Sequence, residues 1–222
     1  MRSCAVGRVI ARFGSASFVQ SSALAIVLLA ARIAWTRQPA YGFLVWNLFL
    51  AWVPWVCALA IGALHRRRAR TATLVPLFLA WLAFLPNAPY LVTDFIHLHH
   101  RGSAPLWFDA VMLASFAWAG VGLGVASLRT CSDVVRARSG RLAAAAFVVG
   151  TGLATGFGIY LGRFVRLNTW DVAMRPLTVF EVSVSPLVDP LAHPRAWVVT
   201  LTFALFFLAA YGMGNDRRSA EV

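Results

Sequence analysis

The chain has 222 residues, of which 60% are hydrophobic and 13% charged, and its mean hydropathy is +0.72. Soluble domains are about 45–50% apolar and about 25% charged, so this composition excludes an ordinary soluble domain and indicates a membrane protein. The formal net charge is +12, and because the arginines cluster between apolar runs, they indicate membrane topology rather than nucleic-acid binding.

Six apolar segments predict a helical bundle that crosses the membrane six times. With the N-terminus inside, 13 arginines fall on the inner side and 7 on the outer side, which favours cytoplasmic termini. The first segment resembles a signal peptide, but no small-residue cleavage site follows, so we expect a retained span in which Arg32 extends towards the interface. The predicted spans are residues 18–35, 40–64, 73–93, 107–128, 142–162 and 196–211.

The third span contains Pro86 and Pro89, three residues apart. Each proline lacks an N–H and crowds the carbonyl four residues before it, so we expect the helix to be broken here. The carbonyls freed beside Asn87 must face protein or a wet cavity, because lipid cannot hydrogen-bond them. This segment therefore predicts a polar site enclosed by the other helices.

Counting residues along the spans brings distant side chains to common depths. Asn47 and Asn87 both fall roughly 10 Å below the outer surface, where they could hydrogen-bond to each other or line a pocket. Asp94 and Arg163 each lie roughly 32 Å from the inner end of their spans, at the outer interface. Arg166 is three residues beyond Arg163 and can share its face.

These positions leave two interpretations open. Asp94 could form an ion pair with one arginine and hold the third and fifth spans together, or Arg163 and Arg166 could grip a phosphate or carboxylate. His97 shares a helix face with Asp94 and could accept a proton. No HExxH or comparable motif accompanies the outer histidines, so we predict no metal site and no cofactor.

Two further patterns concern packing and the outer loops. Glycines spaced by four at 152 and 156, and at 158 and 162, predict close intramolecular packing of the fifth span, with the glycine-rich fourth span as its neighbour. After Arg166, Asn168 or Thr169 could cap a short helix with Asp171 near its positive end. Pro176 begins a segment whose apolar face predicts a short interfacial helix between the fifth and sixth spans, as a strap or a lid. The three cysteines have no metal spacing, and their odd number excludes a complete disulfide framework.

Three segments together resemble a known family: WNLFLAWVP from Trp46, FLPNAPYLVTDFIHL from Phe84 and GRFVRLNTWD from Gly162. The resemblance is to the predicted bacterial membrane proteins of domain-of-unknown-function family 1361, with Thr169 at a position where that pattern has serine. It implies a multi-pass protein of the bacterial inner membrane and implies no activity.

The sequence thus predicts a single membrane domain with an outward-opening polar pocket. We expect this pocket to bind or process an anionic amphiphile or lipid headgroup. A small-solute transporter and a structural or accessory subunit are the alternatives. Beyond membrane lipids and such an amphiphile, no partner is indicated. The residues assigned to proton handling are Asp94 and His97, and those assigned to ligand binding are Asn47, Asn87, Tyr90, Arg163, Arg166, Asn168, Trp170 and Asp171.

Overall fold

A computed structural model describes residues 2–98, 104–167 and 174–219, and the side chains of residues 16–98, 104–167 and 174–213. All regular elements among these residues are helices, which confirms that the fold is all-helical, as predicted. In chain order they are α1 (Arg2–Thr36), α2 (Phe43–Arg66), α3 (Thr71–Phe84), α4 (Asn87–Tyr90), a 3-10 helix (Leu91–His97), α5 (Leu106–Tyr160), a π-helix (Leu161–Val165), α6 (Pro176–Val188) and α7 (Pro194–Ser219).

Five helical segments of the described chain are long and apolar enough to cross a membrane. Large apolar side chains on their surfaces face outwards, as lipid contact requires: Leu79 is 63% exposed and Trp118 is 77% exposed. The five segments are Ala16–Thr36, Phe43–Arg66, Thr71–His97, Leu106–Val165 and Pro194–Met213.

The longest of these segments contains two helices joined at Gly140, whose φ of 86° and ψ of 178° are not helical. We call residues 106–139 the first arm and residues 141–160 the second arm. The first arm runs in the same direction as α7, since Gly124 adjoins Phe207 and Arg129 bonds to Tyr211. The second arm runs against α7, with Gly152 beside Leu208 and Gly156 beside Thr200. The chain therefore folds back at Gly140.

The two prolines interrupt α-helical hydrogen bonding between α3 and α4. The amide of Ala88 bonds to the carbonyl of Leu85 at 3.0 Å instead of to that of Phe84, and the side-chain amide of Asn87 donates to Phe84 at 2.9 Å. Leu85 and Pro86 keep right-handed helical φ and ψ. The interruption is therefore local, and the released carbonyl has a side-chain donor.

Glycines on both arms allow the α3–α4 junction to lie close to them. A Cβ at Gly120 would lie 2.3 Å from the carbonyl oxygen of Ala88, and one at Gly158 would lie 2.4 Å from Cγ of Pro86. The spaced glycines of the second arm thus pack within the chain, but they meet α7 and residues 86–90 rather than the expected fourth span. Only glycine permits this closeness without displacing a neighbour.

Three described residues other than glycine have a positive φ, and all three are arginines at helix ends. Arg37 follows α1, Arg68 follows α2 and Arg166 follows the π-helix, with φ values of 56°, 55° and 65°. Glycine is the usual residue at such positions because it has no Cβ to clash with the backbone.

Candidate functional site

A cluster of polar side chains lies where the 3-10 helix meets α2 and the π-helix. A 3-10 helix has three residues per turn, so Leu91, Asp94 and His97 lie in line along one face. The proline at 89 lacks the N–H that would continue α-helical bonding, which accounts for the change of helix type just after it. The sequence break thereby determines which way the carboxylate of Asp94 points.

Asp94 is completely buried and joins three elements of the fold. One carboxylate oxygen accepts a hydrogen bond from Nη2 of Arg163 on the π-helix and forms an ion pair with it. The other accepts a 3.1 Å hydrogen bond from Nδ2 of Asn47 on α2. The buried charge is therefore paired and hydrogen-bonded on both oxygens, as its removal from water requires.

All three nitrogens of the Arg163 guanidinium have neighbours. Besides Asp94, Nε donates to Oγ1 of Thr93 at 2.8 Å, and Nη1 lies 3.5 Å from Nε2 of His97. The guanidinium carbon lies 4.6 Å from the centre of the Tyr90 ring, a cation–π distance. The side chain keeps 15% of its surface exposed. It is thus fixed in orientation while part of the side chain stays exposed.

His97 is held by its backbone as well as by its ring. Its carbonyl accepts a 2.8 Å hydrogen bond from the hydroxyl of Tyr41, and its ring packs edge-on against Phe43 with the centres 5.2 Å apart. His193 is engaged elsewhere, 2.9 Å from Ser185. The described residues contain no group of three or more His, Cys, Asp or Glu that could hold a metal ion.

The structure brings only some of the predicted site residues together. Five form the cluster: Asn47, Tyr90, Asp94, His97 and Arg163. The side-chain amide of Asn47 bonds to Asp94, and that of Asn87 bonds to Phe84. The two amides therefore do not hydrogen-bond to each other, which their common depth had allowed. Arg166 is exposed; its backbone amide donates to the carbonyl of Leu161, and its guanidinium has no hydrogen-bond partner among the described residues. Asn168, Trp170 and Asp171 lie outside the described residues, as do His99 and His100.

A second buried ion pair was not predicted. Arg32 of α1 and Asp109 of the first arm are bidentate, with Nε 2.6 Å from Oδ1 and Nη2 3.1 Å from Oδ2. The expectation that Arg32 extends towards the interface was wrong, because its side chain is 0% exposed and paired with a carboxylate. The available signal was two opposite charges near the same end of apolar segments, which are expensive in lipid unless paired.

Tyr41 connects the two ion pairs. The guanidinium carbon of Arg32 lies 4.4 Å from the centre of its ring, while its hydroxyl donates to His97. Contacts therefore run from Asp109 through Arg32, Tyr41 and His97 to Arg163. Polar groups on α1, α2, the 3-10 helix, the first arm and the π-helix thus form one connected set.

Long apolar helices with outward-facing apolar side chains, closed around buried ion pairs, define a helical membrane protein with an internal ionic cluster. Residues 46–210 match the family described as "Protein of unknown function (DUF1361)", which is most of the chain, and the protein belongs to that family. The resemblance drawn from the three sequence segments is thereby confirmed. No curated protein and no solved structure matches the chain.

Proposed function

We propose that the protein crosses the bacterial cytoplasmic membrane six times, with both termini in the cytoplasm. The support is the length of Leu106–Val165: a straight helix of its 60 residues would measure about 90 Å, three times the thickness of a hydrocarbon core. Its two antiparallel arms on either side of Gly140 supply two spans instead of one. The excess of arginine on the inner side gives the orientation.

We further propose that the outer end of the bundle binds the headgroup of an anionic amphiphile beside Arg163. The observation that carries this proposal is a local surplus of guanidinium groups. Asp94 neutralises Arg163, but the exposed Arg166 and Arg195 form no ion pair with a described residue. The guanidinium carbon of Arg195 lies 4.5 Å from the centre of the ring of Phe164, the residue that follows Arg163 in the chain. Such groups match phosphate and carboxylate geometry.

Within this proposal the buried residues have distinct roles. Asp94, which is itself bonded to Asn47, fixes the guanidinium of Arg163, and the exposed part of that side chain meets the ligand. His97 is half-buried and adjoins that guanidinium, so it is the group placed to exchange protons with a bound ligand near neutral pH. Any chemical processing of the ligand would depend on this histidine and on the paired carboxylate.

Helix α6 is proposed to lie in the outer interface beside the binding end. Leu177 and Phe180 are 77% and 66% exposed, although both are apolar. Trp197 at the start of α7 donates a 3.0 Å hydrogen bond to the carbonyl of Pro186 and ties the helix to the bundle. An uncovered apolar face on a tethered helix is typical of an interfacial segment.

The test is ligand-dependent thermal stability of the purified full chain in non-ionic detergent. We expect lysophosphatidylglycerol to raise the melting temperature by several degrees and lysophosphatidylcholine to have little effect. Arg166→Gln with Arg195→Gln should remove a clear part of that selective increase. The control, Arg37→Gln with Arg175→Gln, removes two exposed charges elsewhere and should preserve it. Equal increases in both double variants would contradict the proposal.

One observation favours a purely structural role for the cluster: every nitrogen of Arg163 already has a neighbour in the fold. On that alternative, Arg163→Gln lowers stability, but no lipid headgroup selectively stabilises the protein at the outer end. The same thermal measurements distinguish the two roles, because only the binding role makes the Arg166 and Arg195 charges necessary for a ligand effect.

A further inference from the structure

Seven exposed arginines lie at the end of the bundle opposite Asp94. Helix α2 carries Asn47 near its start and reaches Arg66 at its end, about 29 Å further along at 1.5 Å per residue. The turn after α2 and the residues around Gly140 contribute the arginines. We call this set the basic surface: Arg66, Arg67, Arg68, Arg70, Arg136, Arg138 and Arg141.

Arg138 joins the turn after α2 and the residues around Gly140 into one surface. Its guanidinium donates to the carbonyl of Ala69 at 2.8 Å, to the hydroxyl of Thr71 at 2.9 Å and to Nδ1 of His65 at 3.2 Å. These bonds cross from α5 to both sides of the α2–α3 turn. The remaining arginines are thereby gathered at one place although they are about 70 residues apart in the chain.

The other six guanidiniums have no hydrogen bond or ion pair with any described residue. Asp133 is the one acidic residue in the sequence between positions 65 and 76 and between 129 and 142. The basic surface thus carries a strong positive charge, and six of its seven guanidiniums have no acidic partner among the residues whose side chains are described. It lies at the end of the apolar segment Phe43–Arg66, and Leu142, next to Arg141, is 85% exposed.

The backbone at Arg68 places a charged side chain at a position of the turn where glycine is usual. The turn closes α2 with the amide of Arg68 bonded to His65 at 2.9 Å and that of Ala69 bonded to Leu64 at 3.0 Å, the pattern of a Schellman motif. The left-handed residue of that motif is usually glycine, since a side chain there is strained. This chain places an arginine at that position, and its side chain is exposed.

We propose that the basic surface binds the phosphate headgroups of anionic phospholipids in the leaflet at this end of the bundle. A guanidinium donates two parallel hydrogen bonds to a phosphate, and two turns of arginines allow several headgroups, or one doubly charged headgroup, to be held together. Leu142 extends from the same turn as an apolar contact for the acyl chains. This site shares no residue with the proposed outer site, so either can fail without the other.

The experiment uses the purified full chain in non-ionic detergent, with phosphatidylglycerol as the probe and phosphatidylcholine as the zwitterionic control. We expect phosphatidylglycerol to raise the melting temperature by several degrees more than phosphatidylcholine does. Arg67→Gln with Arg141→Gln, one residue from each turn, should remove at least half of that difference. Arg37→Gln with Arg175→Gln, two exposed arginines outside the basic surface, should leave it unchanged. Arg166→Gln with Arg195→Gln removes the charges of the proposed outer site, so combining the two double variants should remove more of the difference than either does alone.

A second variant separates lipid binding from folding. Arg68→Gly relieves the left-handed strain, so the lipid-free protein should melt at a higher temperature while its selective response to phosphatidylglycerol decreases. An undiminished response in both this variant and the Arg67 and Arg141 double variant would overturn the proposal. An equal increase from inorganic phosphate alone would also overturn it, because the site would then recognise a free anion rather than a lipid.

Discussion

The hydroxyl of Tyr41 donates a hydrogen bond to the carbonyl oxygen of His97, which lies 56 residues further along the chain. Because the ring of the same tyrosine lies under the guanidinium of Arg32, one side chain links the Arg32–Asp109 pair to the cluster around Asp94. Disturbing either ion pair should therefore change the contribution of the other to the free energy of unfolding, and double variants can measure that coupling.

Replacing Asp94 with asparagine should lower the free energy of unfolding by about 3 kcal/mol, the scale expected when one partner of a buried ion pair is removed. The amide keeps the volume of the side chain but leaves the Arg163 guanidinium without its counter-charge. Chemical unfolding in detergent would measure the loss. Adding Arg163→Gln to this variant should recover part of it, whereas simple addition of the two single losses would show that the groups do not interact.

The Arg32 and Asp109 pair should respond differently when both members are replaced together. Asp109→Asn alone strands a guanidinium that is 0% exposed and should cost about 3–5 kcal/mol. Arg32→Met with Asp109→Leu removes both charges and should cost far less, since apolar groups of similar size often substitute well for a buried pair. A double variant as unstable as the single one would show that this pair does more than satisfy its own charges.

Tyr41→Phe isolates the link between the two ion pairs. The change removes the hydroxyl that bonds to His97 while keeping the ring beside Arg32, so unfolding free energy should fall by about 1 kcal/mol. Tyr41→Ala removes both interactions from a fully buried position and should cost about 3–5 kcal/mol. Equal losses for the two variants would place the whole effect in the hydroxyl.

Replacing either of two glycines of α5 with alanine should change the free energy of unfolding, in opposite directions for the two positions. At Gly120 the new Cβ would lie 2.3 Å from a backbone oxygen, so Gly120→Ala should destabilise the protein by about 1–3 kcal/mol. At Gly150 nothing lies within 4 Å of the new atom, and alanine should stabilise the helix by about 0.5–1 kcal/mol. Thermal unfolding of the two variants side by side checks the close approach at Ala88.

The sequence predicted the depth of side chains along the spans better than it predicted the direction in which those side chains point. Asp94 and Arg163 were placed at one level because the rise per residue of a helix is constant, and the structure pairs them. Arg166 was expected on the same face as Arg163, but the π-helix ends between them and Arg166 adopts a left-handed conformation, so the spacing rule for residues three apart on one helix does not apply. A change of helix type alters the direction in which each side chain leaves the helix, with little effect on its position along the helix axis.

The partners of the buried charged and polar side chains were the second feature that the sequence did not predict. Arg32 was read as an interfacial side chain because nothing local indicates that Asp109, 77 residues later, lies beside it. Asn47 was likewise matched by depth to Asn87, although its partner is Asp94. Depth along a span follows from counting residues, whereas the choice of neighbouring helix depends on packing, such as the closeness that Gly120 and Gly158 allow.

The arginines at left-handed positions imply a mechanical property of the bundle. Arg37 and Arg166 follow helices at one end of the bundle and Arg68 follows a helix at the other end, so exposed cationic groups lie at both ends. A bilayer that thins or thickens would pull these turns towards or away from the headgroups. We therefore expect the stability of the protein to pass through a maximum at one acyl-chain length, and replacing the three arginines with glycine should flatten that maximum.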